Sequence, residues 1–332
     1  MSDLMMKLRN LKVVFPNDAG VLKAVEGIDI DIHKGECVAI VGESGCGKSV
    51  TAFAMMKLLN SPPALVRVDE MKLDGEELKD YNEVKMQDIR GKMISMIFQD
   101  ALTALNPVMT IGRQIDEVFI RHQGLSKKKA REATILTLEL VGVPEPKSRA
   151  NNFPHQLSGG MRQRVLIAMA FACMPKLIIA DEPTTALDVT IQAQVLDVLS
   201  DMQKKHHMSL LLITHDLSVV SNMADIVYVM YCGKIVEKAT VRQLFEKPHH
   251  PYSVGLLASV PKLTDTHHHF VQIPDCVPHP MFKPAGCYFH PRCEHATEKC
   301  TKVMPPLEKL ADGREIRCWN PLNMEKGVES HE

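Results

Sequence analysis

The sequence has no long hydrophobic run, no strong excess of either charge and no repeat of its motifs. Each absence excludes something. The longest apolar run, VLIAMAFACM (165–174), ends at Pro175 and Lys176. A bilayer takes about 20 apolar residues to cross, so this run reads as a buried helix. A net charge of -1 argues against a protein that coats nucleic acid. The one basic run, RHQGLSKKKAR (121–131), reads as a solvated helix face. The opening MSDLMMKLRN lacks the apolar core of a secretory signal. The expectation is a chain that stays in the cytosol, where structural disulfides are rare. Its nine cysteines therefore point to metal binding, catalysis or core filling. The 332 residues, 45% apolar and 24% charged, suit a soluble globular protein: one large domain with an appendage, or two ordinary domains.

What is present begins with CVAIVGESGCGKSV. The apolar run Cys37–Val41 suits a buried parallel strand. Gly42-x4-Gly47-Lys48-Ser49 follows, and then a helical stretch, which is the P-loop in its strand–loop–helix context. Glycines let successive N–H groups turn inward on a phosphate, and the next helix presents its positive end to the same anion. The candidate phosphate-binding residues are Gly42, Ser44, Gly45, Cys46, Gly47, Lys48, Ser49 and Val50. Lys48 supplies a cation for the β- and γ-phosphates, and Ser49 a hydroxyl for Mg²⁺. Cys46 reads as a small residue tolerated in the loop. If its thiol is exposed, alkylation should block ATPase activity and ATP should protect.

PKLIIADEPTTALD (175–188) is a second buried strand, and it ends in two carboxylates. Asp181 is placed for Mg²⁺, and Glu182 for polarising an attacking water. In NNFPHQLSGGMRQR, Ser158 is a good helix cap, and Gly159 and Gly160 free the backbone at a second anion-binding helix start.

These stretches together resemble the nucleotide-binding domain of an ATP-binding cassette (ABC) protein, over roughly residues 5–250. The resemblance implies an α/β P-loop NTPase fold with a helical subdomain. It makes Gln99 in MIFQDALTALNP the Q-loop glutamine, which touches Mg²⁺ and relays to a membrane partner. It makes His215 in LLITHDLS the switch histidine, Asp188 the D-loop aspartate and Phe15 the aromatic stacked on adenine. In this family Ser158–Gly160 of one domain close over ATP held by a second, identical or homologous, so a dimer of ATPase subunits is implied.

Residues 1–98 and 165–240 alternate short apolar runs with helical patterns, as a mainly parallel sheet requires. Residues of about 100–165 turn helical, with apolar residues three or four apart. IVYVMYCGKIVEKA reads as a hairpin turning at Cys232-Gly233. After about residue 245 prolines recur and periodicity fades. The expected division is 1–245 for the cassette and 246–332 for a loop-rich extension. HPYSVGLL, IPDCVPHP and GCYFHPRCEHATEKCTKVMPPL resemble the C-terminal region of ATPase subunits of bacterial dipeptide/oligopeptide ABC importers. That resemblance implies ATP hydrolysis driving peptide import at the cytoplasmic face of the cell membrane. It also implies two transmembrane permease subunits and an extracytoplasmic substrate-binding protein, with no nucleic acid partner.

The extension carries Cys287, Cys293, Cys300 and Cys318 in the spacing C-x5-C-x6-C-x17-C. Zinc sites usually have a short C-x2–4-C hook, and ferredoxin runs differ as well, so spacing alone leaves a metal site, core cysteines and a disulfide pair open. The resemblance implies a [4Fe–4S] cluster on these four, with Zn²⁺ as the alternative. Cys276 departs from the family's glycine and is expected as a spare thiol near the cluster. His267–His269 read as a solvated linker rather than a metal tract. Two other functions stand beside the importer. One is a soluble ABC ATPase of translation or repair, disfavoured because this chain has one cassette and no long coiled coil. The other is a redox-sensing nucleotide switch, disfavoured by the intact Glu182 and His215.

Overall fold

The computed structural model describes residues 3–18, 20–185, 188–259, 273 and 276–323. His267–His269 lie outside the described residues. The strands of the first hundred residues are β1 (Leu4–Asn17), β2 (Gly20–His33), β3 (Cys37–Val41), β4 (Leu65–Arg67), β5 (Glu70–Leu73), β6 (Glu76–Glu77) and β7 (Ile94–Ile97). They are followed by β8 (Leu177–Asp181), β9 (Ser209–Thr214), β10 (Ile226–Tyr231), β11 (Lys234–Thr240), β12 (Glu308–Lys309) and β13 (Glu315–Ile316).

Two sheets form, and burial explains which strand joins which. β3, β8 and β9 are apolar and buried along their whole length. Strands buried on both faces belong in the middle of a covered parallel sheet. They stand side by side in the order β10-β3-β9-β8-β7, every neighbouring pair parallel. β1 and β2 instead pair antiparallel, from Leu4 opposite His33 to Asn17 opposite Gly20. β4 and β5 add antiparallel to β1. The mainly parallel sheet expected for residues 1–98 is therefore corrected: within them only β3 and β7 enter the parallel sheet. The physical reason is length and face. Fourteen-residue strands that bury one side close a second layer more readily than they insert into a two-sided core.

The helical segment holds the helices Ile111–Gln123 and Lys127–Leu140, each capped by a hydroxyl, Thr110 and Ser126. Gly124, left-handed at φ 65, ends the first. The basic run at 121–131 thus spans a helix–turn–helix joint and is not a single helix face. Lys127, Lys128 and Lys129 are nonetheless exposed. The buried helix expected at 165–174 is the second half of Gly159–Phe171, which crosses the anticipated edge of the helical segment.

The extension is not a loose appendage. β13 pairs with β11, setting Glu237 opposite Ile316, and so lengthens the main sheet. Tyr252, fully buried on the helix Pro251–Ala258, packs its ring 4.6 Å from Tyr231 and 5.4 Å from Phe289. Glu237, also fully buried, accepts the backbone N–H groups of His249 and His250, both at 2.9 Å. Arg314 approaches the same carboxylate at 4.0 Å. Removing a buried acceptor strands its donors, which costs about 1–3 kcal/mol per group. Glu237→Ala should therefore destabilise the protein by about 2–4 kcal/mol, read as a lowered urea midpoint. Arg242→Ala, which breaks an exposed pair with Glu246, should cost under about 0.5 kcal/mol.

Candidate functional site

Ligands of parallel α/β sheets bind beyond the carboxyl ends of the strands. Four neighbouring strands end here at one place. The loop Gly42–Gly47 leaves β3, His215 follows β9, Asp181 and Glu182 end β8, and Gln99 follows β7. A cleft of about 550 Å³ opens over these ends. Phe15, Ser44, Gly45, Gly47, Lys48, Ser49, Val50, Gln99, Glu182 and His215 line it, while Gly42, Cys46 and Asp181 lie behind its surface.

The loop geometry explains its glycines. Gly42 has φ 153, and a Cβ there would sit 2.2 Å from the Met230 carbonyl oxygen. Gly47 has φ 111, and its Cβ would meet the Ala24 carbonyl at 2.6 Å. Both positions press backbone against backbone, which only glycine permits. Lys48 is buried, and its ammonium donates to the carbonyls of Gly42 at 2.7 Å and Glu43 at 3.2 Å. It is thus folded back along the rim of the loop it serves.

The carboxylates face different ways. Asp181 is 2% exposed and accepts from Ser49 Oγ at 3.0 Å. Burial raises its pKa, the Ser49 hydrogen bond opposes that, and the neighbouring Glu182 charge adds to it. A cation beside Ser49 and Asp181 would relieve this cost. Glu182 sits in left-handed backbone, φ 46, and accepts from Gln99 Nε2 and Thr185 Oγ1, both at 2.9 Å. His215 Nδ1 stands 3.2 Å from its other oxygen. Thr185 is a partner that the sequence did not single out.

Ser158, Gly159 and Gly160 do not line this cleft. Ser158 caps the helix Gly159–Phe171, accepting from Met161 N, and both Ser158 and Gly159 are exposed. A Cβ on Gly160 would lie 2.6 Å from Ile191, so this helix start presses against the helix Val189–His206. Asp188 caps that second helix through Ile191 N at 2.9 Å. The two candidate segments are thus neighbours on a surface apart from the cleft.

Residues from three unexpected places line the cleft as well, one of them Cys232 in the turn between β10 and β11. Leu22, Lys23 and Ala24 come from β2, and Val277, Pro278, Pro280 and Lys283 from the extension. No local signal in the sequence marks them, because their role is created by long-range packing. Cys276 stands next to this wall, exposed, and is absent from the lining of the cysteine cavity. The chain carries Val277, Pro278, Pro280 and Lys283 to the cleft before it reaches Cys287. The condition attached to Cys46, an exposed thiol, is not met. Its thiol is 1% exposed, packed inside the loop, and burial raises its pKa.

Cys287, Cys293, Cys300 and Cys318 do converge, lining one small cavity with His250, His290 and His295. Burial raises the pKa of Cys287 and Cys293 and pushes Cys318 up to about 12. Asn320 N donates to Cys318 Sγ at 3.3 Å, and Thr297 Oγ1 lies 3.4 Å from Cys300 Sγ. Yet among the described residues no group of three or more His, Cys, Asp or Glu is set to hold a metal ion. The cavity they line has a volume of about 10 Å³, room for about one water.

Thiol access follows from these positions. N-ethylmaleimide added to native protein should label Cys276 first and leave Cys46 unmodified until the chain unfolds. Peptide mass spectrometry checks this, and rapid native labelling of Cys46 would contradict the buried loop thiol.

Residues 25–185 match the ABC transporter family, and residues 236–300 match the oligopeptide/dipeptide transporter C-terminal region. The oligopeptide transport ATP-binding protein OppD of Bacillus subtilis (strain 168) is 48% identical over 95% of this chain and 88% of its own length. The dipeptide transport ATP-binding protein DppD of Escherichia coli (strain K12) is 44% identical over 96% and 97%. Among solved structures, the dimeric post-hydrolysis state of the ATP-binding cassette MJ0796 bound to ADP and Pi is 27% identical, with a TM-score of 0.64. It covers 72% of this chain and 99% of that one. With an intact cassette, its C-terminal region and relatives matched nearly end to end, the chain belongs to the ATP-binding proteins of the oligopeptide/dipeptide ABC transporter family.

Proposed function

We propose that this chain is an ATPase subunit that binds ATP with Mg²⁺ and hydrolyses it to drive peptide import through a membrane ABC transporter. The observation that carries the reading is the Glu182 carboxylate, held by Gln99, Thr185 and His215 at the mouth of the phosphate loop. A base so fixed can orient a water in line with a γ-phosphate and accept its proton. The N–H groups of the loop, from Ser44 to Val50, take the phosphates, and Lys48 swings from its carbonyl partners to the β/γ oxygens. Ser49, Asp181 and Gln99 would hold Mg²⁺, which when bound would supply positive charge for the transferring phosphoryl group. Phe15 receives the adenine.

Ser158, Gly159 and Asp188, exposed away from the cleft, and the half-buried Gly160 beside them suit the face of a second ATPase subunit, identical or homologous. They would complete that subunit's site, and it this one. Phe98, Leu102 and Val108 are exposed apolar residues around Gln99. They suit docking of two transmembrane permease subunits, which an extracytoplasmic binding protein would supply with peptide. Among the described residues no helix is long and apolar enough to cross a membrane. The chain would then act as a peripheral subunit at the cytoplasmic face. Transport proteins matching over 95% of the chain support this reading over a translation or repair ATPase or a redox switch.

The division at about residue 245 is proposed as one of roles, since both parts share a sheet. The four cysteines are proposed to hold a thiolate-bound metal centre, a [4Fe–4S] cluster by family resemblance, with Zn²⁺ as the alternative. Such a centre would cross-link the segments that carry Cys287 and Cys293, the helix Glu298–Lys302 and the segment after β13.

Glu182→Gln should keep MgATP binding within a few-fold while lowering kcat about 10²- to 10⁴-fold, the usual share of a general base. Steady-state phosphate release and equilibrium binding measure the two, and robust turnover would refute the role. Protein purified without oxygen should contain about four irons and four sulfides per chain and absorb visible light. A colourless protein with one zinc would assign the alternative, and metal-free protein would remove the centre altogether.

A further inference from the structure

The cleft has two chemically different ends. One carries Lys48, Ser49, Gln99, Glu182 and His215, which suit phosphates and water. The other is walled mainly by Phe15, Leu22 and Ala24 together with Val277, Pro278 and Pro280 of the extension, with Lys23 and the Glu26-paired Lys283 beside them. An apolar wall cannot repay the desolvation of a phosphate, so the base and ribose must lie there.

The extension wall is anchored firmly. Lys283, its side chain 9% exposed, pairs with Glu26 at 2.6 Å. The same ammonium donates to the carbonyls of Lys23 at 2.6 Å and Cys232 at 2.7 Å. Tyr288 Oη donates to Glu26 at 3.0 Å. Met281 meets the hairpin between β1 and β2, its sulfur 3.8 Å from Asn17 Nδ2. Gly233, at φ 85, leaves room for the ammonium, which a Cβ would approach to 3.2 Å. The prolines add rigidity, because a ring that fixes φ leaves less freedom to lose when a ligand binds.

We propose that residues Val277–Lys283 belong to the nucleotide site: Val277, Pro278 and Pro280 form the wall that contacts the base and ribose, and Lys283 on Glu26 is the residue that positions it. This rests on the nucleotide reading above and extends it. ATP bound there touches the C-terminal extension directly, so the extension contributes to nucleotide affinity from more than 200 residues beyond the phosphate loop. The wall offers apolar surface and no side-chain hydrogen-bonding group at its three contact positions. It therefore recognises a flat aromatic base with its sugar.

The test compares a ligand that has a base with one that lacks it. The full chain is titrated calorimetrically with MgATP and with magnesium tripolyphosphate. A variant with Val277, Pro278 and Pro280 all changed to Gly gives up on the order of 50 Å² of apolar contact, so MgATP should bind roughly tenfold more weakly. Tripolyphosphate affinity should stay within about twofold of the wild type. Lys283→Met should show the same selective loss, and Lys283→Arg should recover most of it. Equal weakening of both ligands, or no change in either, overturns the proposal. Wild-type protein that binds neither ligand overturns the nucleotide reading itself, and this one with it.

Discussion

The parallel pairing of β3, β9, β8 and β7 is the constraint on which the site depends. In that register Val41 stands beside Thr214, Ile213 beside Asp181, and Ala180 beside Ile97. Four chain segments far apart in sequence therefore end side by side, each about 4.8 Å from the next. Burial on both faces fixes the pairing, since a strand displaced from its place would expose apolar side chains worth about 1.5–3 kcal/mol each. Glu182 could not meet Gln99 and His215 if any of these strands slipped.

Three core carboxylates tie the extension to this frame. Glu237 holds the backbone of His249 and His250, Glu26 holds Lys283 and Tyr288, and Glu43 holds Arg292 through two contacts of 2.8 and 3.0 Å. Glu43 lies inside the phosphate loop, and its N–H donates to Tyr252 Oη at 2.9 Å. Arg292 immediately precedes Cys293. The segment that carries the cysteines therefore bears on the loop that carries the phosphates. Buried pairs of this kind add little net stability, but breaking one partner is costly, so they specify a position more than they strengthen the fold.

The exposed helix starts at Ser158 and Asp188 complete the picture from the opposite side. Each is capped by its own side chain, and they press together at Gly160 and Ile191. A helix N-terminus directed at solvent retains unpaired N–H groups and a positive end. Beside a chain whose own cleft lies elsewhere, such a surface is suited to an anion presented by a second subunit.

Much of the site could be read directly from the sequence. The phosphate loop, Asp181-Glu182 and the Ser158–Gly160 helix start are local devices, in which spacing along the chain sets geometry within a turn or two. Gln99 and His215 came with the family resemblance, which the motifs around them carry. Other features depended on contacts between distant segments and carry no local pattern. The wall of Val277, Pro278 and Pro280, the Glu26–Lys283 anchor and the Thr185 bond to Glu182 are of this kind. So is the contrast between a buried Cys46 and an exposed Cys276, because exposure depends on what the rest of the chain lays over a residue. The long antiparallel strands β1 and β2 were likewise missed, since apolar spacing indicates a strand but not its partner. The sequence by itself determined the cassette, its chemistry and its family, because phosphate binding is encoded within a dozen consecutive residues. Only the tertiary structure decided that the extension closes the nucleotide cleft and that four cysteines share one small cavity, because both are made by segments that meet only after folding.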